Sequence, residues 1–268
     1  MRVLSILFFV LAFVHSSYAK NQEFPGRDLY LDVKHIEMAD LAKEYSNSII
    51  VDVRSKYEFD TLHIKSASHV SLRSPEFISS MQQLRKQYPH KKIVTYCNGK
   101  TCMKSYKAAR KCQQHGVRNV YAFDAGIMDW AKNQPNRSVL LGQSPLNENK
   151  LISKDDFNKR LLTVDDFIEK ARHDKAALII DARDPLQREG ISLFPGAESR
   201  ASLQDTRNMD NFIAQAAKQN KTMYIYDEAG KQVRWLMYRL EEKGVKKYYF
   251  MKHGMKAYFA KLRDEMAK

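Results

Sequence analysis

Two cysteines lie in one short, basic segment of the chain. The segment VTYCNGKTCMKS (94–105) runs from apolar residues into Cys97, and Lys100, Cys102 and Lys104 follow within seven positions. A cysteine thiolate is both a nucleophile and a metal ligand, and neighbouring lysines lower the pKa of a thiol. The segment is therefore suited to a disulfide, to a metal site or to a reactive thiol with a helper.

A metal site and a disulfide scaffold are the weaker interpretations. The chain has three cysteines, too few for a disulfide framework, and an odd number leaves at least one thiol unpaired. Cys97 and Cys102, with His115 late on a predicted helix, make a poor zinc ligand set. We therefore assign no metal and no cofactor. Cys112 follows alanines at the spacing of a buried helix face, which indicates a structural cysteine.

An internal repeat supplies the elements that position these residues. IIVDVR (49–54) and LIIDAR (178–183) are apolar runs that end in Asp-x-Arg, and IVTYCNGK (93–100) matches MYIYDEAGK (223–231). Short apolar runs of this kind predict buried strands, and the stretches between them have helical patterns. Strands that alternate with helices form parallel sheets.

The repeat predicts an α/β fold of two tandem domains, each a mainly parallel sheet with helices on both faces. We place the first domain at 30–140 and the second at 161–265. The segment 133–150 is rich in Asn, Pro, Ser and Gly, which is typical of a junction. We therefore predict a linker at 141–160.

The predicted fold places Cys97 where ligands bind. In open α/β sheets, ligands lie beyond the carboxyl ends of the strands, and Cys97 follows one strand directly. The loop N–H groups and the start of the next helix, near Lys104, favour a negative charge there. Lys100 adds to the same field. These features predict an anion cradle around a nucleophilic sulfur.

Three motifs of the first half resemble those of the rhodanese family. They are DVRSKYEFDTLHIKSASHVSL (52–72), YCNGKTCMKS (96–105) and FDAGIMDWAK (123–132). The resemblance covers about 30–145 and 160–262, so the chain is similar to a tandem rhodanese-like protein. It implies sulfur transfer: a thiolate takes a sulfane sulfur from a donor such as thiosulfate, holds it as a persulfide and passes it to a thiol or to cyanide.

The resemblance also implies roles for individual residues. Cys97 would be the nucleophile. Separately from the resemblance, the repeat keeps Asp-x-Arg where the cysteine is absent, so we expect Asp52 and Arg54 to form a structural ion pair, and a catalytic role is the alternative. His63 is expected to be a structural donor, and contact with substrate is the alternative. The substrate-binding loop would consist of Asn98, Gly99, Lys100, Thr101, Cys102, Met103 and Lys104. Loops of this family commonly have four residues between the cysteine and an arginine, whereas here six precede Lys104. A related phosphatase family requires an arginine in this loop, so the lysine disfavours phosphate-ester chemistry.

Cys102 has two interpretations. It is either a resolving thiol, which attacks the persulfide or closes a reversible disulfide with Cys97, or a small residue that lines a widened loop. An oxidising compartment favours the pairing of thiols.

The second half has Asp227 in place of the cysteine. A carboxylate cannot carry a persulfide, so we predict that this domain is inactive in sulfur transfer. Its predicted task is to pack against the first domain and shape a cleft, or to recognise a partner. We expect Asp227 to be ion-paired, and an acid–base role is the alternative.

The amino terminus predicts export to the periplasm. Arg2 precedes a short apolar run (3–14), and the small residues Ser17 and Ala19 complete a secretory signal peptide at 1–19. An uncleaved membrane anchor is the alternative, but the run is shorter than a membrane span requires.

The charge distribution limits the partners. The net charge is +14, yet lysines and arginines are spread along the chain with acids between them. Nucleic-acid-binding proteins concentrate basic residues on an arm or stripe. We therefore predict a small anionic sulfur donor and a thiol acceptor, which an exported protein could supply, with no nucleic acid and no stable membrane insertion.

The leading prediction is an exported sulfurtransferase that acts through a persulfide on Cys97. Two alternatives stay open. One is a thiol–disulfide redox protein that uses Cys97 and Cys102. The other is a non-catalytic module that carries or binds sulfur.

Overall fold

The computed structural model describes residues 23–188 and 192–267. The predicted signal peptide at 1–19 lies outside the described residues and stays a prediction. Two α/β domains follow one another, and each is built on a parallel sheet. The predicted fold class is confirmed.

The first domain contains α1 to α6 and β1 to β6. Its helices are α1 (Pro25–Leu29), α2 (Met38–Lys43), α3 (Lys56–Thr61), α4 (Phe77–Gln87), α5 (Lys104–Gln114) and α6 (Gly126–Asn133). Its strands are β1 (Ser48–Asp52), β2 (Leu62–Ile64), β3 (Ser68–His69), β4 (Lys92–Tyr96), β5 (Val120–Phe123) and β6 (Ser138–Leu140). The order in the main sheet is β3-β1-β4-β5 with parallel neighbours, and β2 pairs with β6 in an antiparallel ladder.

The second domain repeats this arrangement. Its helices are α7 (Lys154–Asn158), α8 (Val164–His173), α9 (Thr206–Gln219), α10 (Val233–Glu242) and α11 (Gly254–Met266). Its strands are β7 (Leu161–Leu162), β8 (Ala177–Asp181), β9 (Glu198–Arg200), β10 (Thr222–Tyr226) and β11 (Tyr248–Met251). The strand order is β7-β11-β10-β8-β9, again parallel. Short 3-10 turns occur at Tyr45–Asn47, Pro135–Arg137, Glu148–Lys150 and Pro185–Gln187.

Alternation along the strands explains why helices cover both faces of each sheet. On β1, Ile50 belongs to one buried cluster and Val51 to another, because successive side chains of a strand point to opposite faces. On β8, Ile179 and Ile180 divide in the same way. Each sheet therefore has two apolar faces, and both must be covered by helices.

One cluster of buried apolar side chains extends through both domains. It includes Tyr57 of α3 and Trp235 of α10, and these two helices contact each other. The guanidinium carbon of Arg239 lies 5.3 Å from the ring centre of Tyr57, and that of Arg54 lies 4.9 Å from Trp235. The second domain therefore packs against the end of β1 in the first. Within the described ranges, no helix is long and apolar enough to cross a membrane.

Candidate functional site

Cys97 is the first residue after β4, and it is fully buried. Its carbonyl oxygen accepts a hydrogen bond of 2.9 Å from the N–H of Ile127 on α6. Residues 97–105, here named the cysteine loop, lead into α5 and include its first residues, since α5 begins at Lys104. Cys97 therefore lies at the carboxyl edge of a parallel sheet, as predicted for a ligand-binding residue.

Cys97 and Cys102 form a disulfide, with 6.3 Å between their Cα atoms. The N–H of Cys102 donates to the carbonyl of Gly99 over 2.8 Å, and this turn returns Cys102 to the end of the strand. The Ser105 hydroxyl lies 3.9 Å from Cys97 Sγ. The sequence left open whether the two thiols pair, and the structure brings them together. Cys97 becomes a thiolate only after this bond is reduced.

Cys112 is the free cysteine, and it is fully buried on α5. Burial raises the pKa of its thiol to about 12. A thiol with such a pKa stays protonated at neutral pH, and the thiolate is the reactive form. The geometry therefore agrees with the predicted structural role of this residue.

Gly126, the first residue of α6, lies against the backbone of the cysteine loop. Its φ is +68°, and a Cβ atom there would lie 2.6 Å from the carbonyl oxygen of Cys97 and 2.5 Å from the backbone N of Gly99. Gly254 of the second domain also has a positive φ, and a Cβ atom there would likewise clash with the carbonyl oxygen of Asp227. Each loop rests on a glycine because a side chain would displace it.

Asp52 and Arg54 form a fully buried ion pair, with 2.6 Å between Oδ2 and Nη2. Burial opposes the charge of the guanidinium, yet Asp52 raises the pKa of Arg54 above its usual value. Nη1 of Arg54 also donates to the amide oxygen of Asn98 over 3.1 Å. The predicted ion pair is therefore present, and it also holds the residue that follows Cys97.

Glu58 belongs to this site, although we predicted no role for it. Its Oε1 accepts a hydrogen bond of 2.8 Å from the Asn98 amide, and its Oε2 accepts one of 3.0 Å from the N–H of Ser55. Burial alone would raise the pKa of Glu58, but Arg54, Lys104 and the Asn98 amide hold it below its usual value. The Ser-x-x-Glu spacing of a capping box was the sequence pattern that could have located it.

The two lysines of the cysteine loop have different surroundings. The ammonium group of Lys100 pairs with the carboxylate of Glu23 and lies 3.5 Å from that of Asp129. Lys104 Nζ lies 3.8 Å from Oε2 of the buried Glu58. Both lysines were expected to act on the thiolate. The structure instead turns Lys100 toward two surface acids, so Lys104 is the lysine that stays with the site residues.

His63 lies beside the site as a half-buried structural residue. Its Nδ1 is 2.7 Å from the carbonyl oxygen of Phe59, and the two rings stack with 4.1 Å between centres. Burial lowers the pKa of its imidazole. In residues 23–188 and 192–267 no group of three or more His, Cys, Asp or Glu side chains could hold a metal ion.

The loop of the second domain shows what this type of turn binds. Residues 227–233, here named the aspartate loop, wrap around the buried carboxylate of Asp227. Oδ1 accepts hydrogen bonds from the N–H groups of Ala229 (2.9 Å) and Gly230, and Oδ2 from those of Gln232 (2.8 Å) and Val233 (3.2 Å). We expected an ion pair here, but backbone N–H groups hold the carboxylate instead.

The two loops differ in length at one place. The helices after them end alike, with Gly116 and Gly244 in the left-handed conformation. Counted back from these glycines, the aspartate loop is two residues shorter than the cysteine loop. By this alignment Lys104 and Ser105 take the places of Gln232 and Val233. The additional residues form the turn that carries Cys102.

A cationic cavity of about 240 Å³ adjoins the cysteine loop. Its lining includes Arg54, Arg73, Lys104, Lys107 and, from the second domain, Gln232. A cavity that combines these cations suits a small anion. A larger cavity, of about 880 Å³, is lined by the linker and by α7 and α10, and no residue of either loop lines it.

A family model described as the rhodanese-like domain matches this chain twice, at residues 36–133 and 163–261. Both matches lie within the two α/β domains, and each contains one of the two loops. Together they cover well over half of the chain.

Curated relatives match part of the chain. A tRNA uridine(34) hydroxylase of Buchnera aphidicola is 28% identical over 99 residues, which are 37% of this chain and 31% of the relative. A protein of the same name from Enterococcus faecalis is 27% identical over 110 residues, or 40% of this chain and 34% of the relative. The chain thus spans about a third of the length of the curated relatives it matches.

Solved structures are also similar. A Bacillus halodurans protein is 27% identical over 46% of this chain and 92% of its own, with a TM-score of 0.36. The thiosulfate sulfurtransferase of Pseudomonas aeruginosa is 14% identical over 84% of this chain and 44% of its own, also with a TM-score of 0.36.

Proposed function

The chain belongs to the rhodanese-like family, a family of sulfurtransferase type, and on that premise we propose that it transfers sulfane sulfur through a persulfide on Cys97. The observation that carries the proposal is the way in which the aspartate loop holds the carboxylate of Asp227. Four backbone N–H groups there hold an anionic side chain at the position equivalent to Cys97. A loop that can hold a carboxylate in one domain is suited to hold an anionic sulfur in the other.

The proposed reaction has two steps. The thiolate of Cys97 attacks the outer sulfur of a donor such as thiosulfate, the S–S bond of the donor breaks, and sulfite leaves with the bonding electrons. The N–H groups of the cysteine loop then stabilise the terminal sulfur of the persulfide. An acceptor thiol or cyanide attacks that terminal sulfur, and the Cys97 thiolate leaves.

The charges around the loop favour an anionic donor. Lys104 is shared by the cysteine loop and the cationic cavity, and Arg73 and Lys107 contribute further positive charge to that cavity. An anion is attracted to such a cavity, because clefts lined by one sign of charge concentrate the opposite ion. This arrangement supports thiosulfate or a related small anion as the donor. The acceptor is a thiol, carried by a small molecule or by a protein.

The names of the curated relatives do not bear on the reaction of this chain. Their name, tRNA uridine(34) hydroxylase, describes whole proteins of which this chain matches about a third. We take from them support for the rhodanese-like domain alone.

A second function is favoured by the disulfide. Cys97 and Cys102 are paired, which is the oxidised state expected of a thiol–disulfide redox protein. In that function the dithiol would be oxidised and reduced by partner proteins, and no sulfane sulfur would be carried.

Thiocyanate formation tests the proposed function. The reduced protein is supplied with thiosulfate and an excess of cyanide, and thiocyanate is measured by its coloured iron complex. The wild type is expected to turn over, and Cys97→Ser is expected to lose the activity by at least about a thousandfold because covalent catalysis needs the thiolate. An unchanged rate in Cys97→Ser contradicts the proposal. A protein that exchanges disulfides but makes no thiocyanate supports the second function.

A further inference from the structure

Building on the proposed function, we propose that Cys102 is a second catalytic cysteine, which resolves the persulfide of Cys97 and releases the transferred sulfur as hydrosulfide. The observation behind this proposal is the bond between the two sulfur atoms. It shows that the Cys102 sulfur reaches Sγ of Cys97, the atom that carries the transferred sulfur. The protein then has two outlets for sulfur: an external acceptor, or its own second thiol.

The backbone allows this attack without rearrangement of the strand end. The Cα atoms of the two cysteines are 6.3 Å apart, within the range in which disulfides form. Cys97 is held by the hydrogen bond from Ile127 to its carbonyl, and Cys102 by the hydrogen bond from its N–H to Gly99. Both residues are therefore fixed at a distance suitable for reaction.

The resolving role of Cys102 explains the additional length of the cysteine loop. The aspartate loop surrounds its anion with two fewer residues, counted from the glycines that end the following helices. A loop of that shorter length is enough to hold an anionic side chain. The two additional residues of the first domain form the turn from Gly99 to Cys102. The longer loop thereby brings a second thiol next to the nucleophile.

The step balances as an exchange between thiols and a persulfide. The Cys102 thiolate attacks Sγ of Cys97 in Cys97–S–SH, the bond between Sγ and the terminal sulfur breaks, and HS⁻ leaves with the bonding electrons. The sulfane sulfur is reduced to sulfide, and the two cysteines are oxidised to the disulfide. With thiosulfate as donor, two thiols and one thiosulfate give one disulfide, one sulfide and one sulfite. A weakly basic leaving group such as HS⁻ favours this direction.

Renewal of the dithiol requires an external dithiol reductant. Cys97 is fully buried, whereas Cys102 is partly exposed. The reductant therefore attacks the Cys102 sulfur, and Cys97 leaves as the thiolate. This order of bond breaking leaves the thiolate on Cys97, the nucleophile of the proposed function.

A single-turnover experiment tests the resolving role. Fully reduced protein, freed of reductant under anaerobic conditions, is mixed with excess thiosulfate in the absence of cyanide and of other thiols, and sulfide is trapped with monobromobimane. The wild type is expected to release one sulfide per chain and to lose both loop thiols. Cys102→Ser is expected to release at least about tenfold less sulfide and to keep one additional sulfur on Cys97.

The control variant is Cys112→Ala, which removes the buried thiol and is expected to release as much sulfide as the wild type. Sulfide release from Cys102→Ser at the wild-type level overturns the resolving role, and so does a wild-type protein that retains the additional sulfur with Cys102 still reduced. Addition of cyanide to loaded Cys102→Ser separates the two proposals. Thiocyanate there leaves the proposed function standing whatever Cys102 does, whereas no loading and no thiocyanate in any variant overturns both.

Discussion

At the residue scale, the network of buried polar groups next to Cys97 is the main addition to the sequence prediction. Arg54 and Glu58 hold the two ends of the Asn98 amide, at 3.1 Å and 2.8 Å. The motif 52–72 contains both charged residues, but the sequence could not show that they meet at Asn98, because that contact joins the ends of two strands 44 positions apart. Lys100 was expected to act on the thiolate. It pairs instead with Glu23, which lies 77 positions away in the sequence.

The charge of Glu58 predicts a pH dependence of stability. The folded protein lowers the pKa of this carboxyl, so its ionised form stabilises the fold above the unfolded pKa of about 4.3. That contribution is lost as the pH falls through the lower folded value. Glu58→Gln keeps the shape of the capping residue and removes the charge, and we expect it to reduce the free energy of unfolding by about 2 kcal/mol at pH 7.

Urea unfolding of the wild type and of Glu58→Gln between pH 3 and 7 measures this difference. The difference in free energy should shrink toward acid pH. Glu148→Gln, in an exposed 3-10 turn of the linker, should stay close to the wild type throughout. A difference for Glu58→Gln that is independent of pH would show that the carboxylate does not stabilise the fold through its charge.

At the element scale, the repeat made the strands, the helices and their order predictable. The apolar runs 49–54 and 178–183 became β1 and β8, within about two residues of the expected ends, and the helical stretch after each loop became α5 and α10. The meeting of the α6 start with the cysteine loop was less predictable. Gly126 was visible within the motif FDAGIMDWAK (123–132), but its contact with Gly99 depends on how the start of α6 meets the loop after β4.

Substitution of Gly126 tests that contact. Alanine at this position must adopt a φ of +68° and place its Cβ 2.6 Å from the Cys97 carbonyl, which forces the loop to move. Gly116→Ala is the matched control, because φ is +76° there but no atom lies within 4 Å of the Cβ position. We expect Gly116→Ala to lose about 1 kcal/mol of stability and to keep its activity.

Gly126→Ala is expected to lose several times that stability and to form thiocyanate at least about tenfold more slowly. Thermal unfolding and the thiocyanate rate, measured on both variants, give the comparison. Equal rates in the two variants would mean that the position of the cysteine loop does not depend on Gly126.

At the scale of the whole molecule, the second domain has a role in the first domain's site although it has no cysteine. Trp235 covers one face of the Arg54 guanidinium at 4.9 Å, and Gln232 lines the cationic cavity. The sequence predicted that the second domain packs against the first and shapes a cleft. It could not identify Trp235 as the contact, since a tryptophan on a helix is equally suited to the core of its own domain.

Removal of the Trp235 ring tests the coupling between domains. Trp235→Ala and Phe167→Ala both remove a buried aromatic ring from the second domain, and each should lower the free energy of unfolding by about 3 kcal/mol. Phe167 packs with Phe194 and Tyr224 in a cluster that contains residues of the second domain alone. Only Trp235→Ala should reduce kcat/KM for thiocyanate formation severalfold, because it frees Arg54, which holds Asn98. Equal losses of activity would assign the effect to stability alone.

The central claim is that Cys97 is the residue that carries sulfur, and the mass of one peptide tests it most directly. Trypsin separates the three cysteines, since IVTYCNGK (93–100) contains Cys97 alone, Cys102 lies in TCMK (101–104) and Cys112 begins CQQHGVR (112–118). Reduced Cys102→Ser protein is treated with thiosulfate, its thiols are blocked, and the digest is analysed by mass spectrometry. We predict one additional sulfur atom on the 93–100 peptide and none on the 112–118 peptide. An unmodified 93–100 peptide, after treatment with either thiosulfate or a polysulfide, would contradict the account.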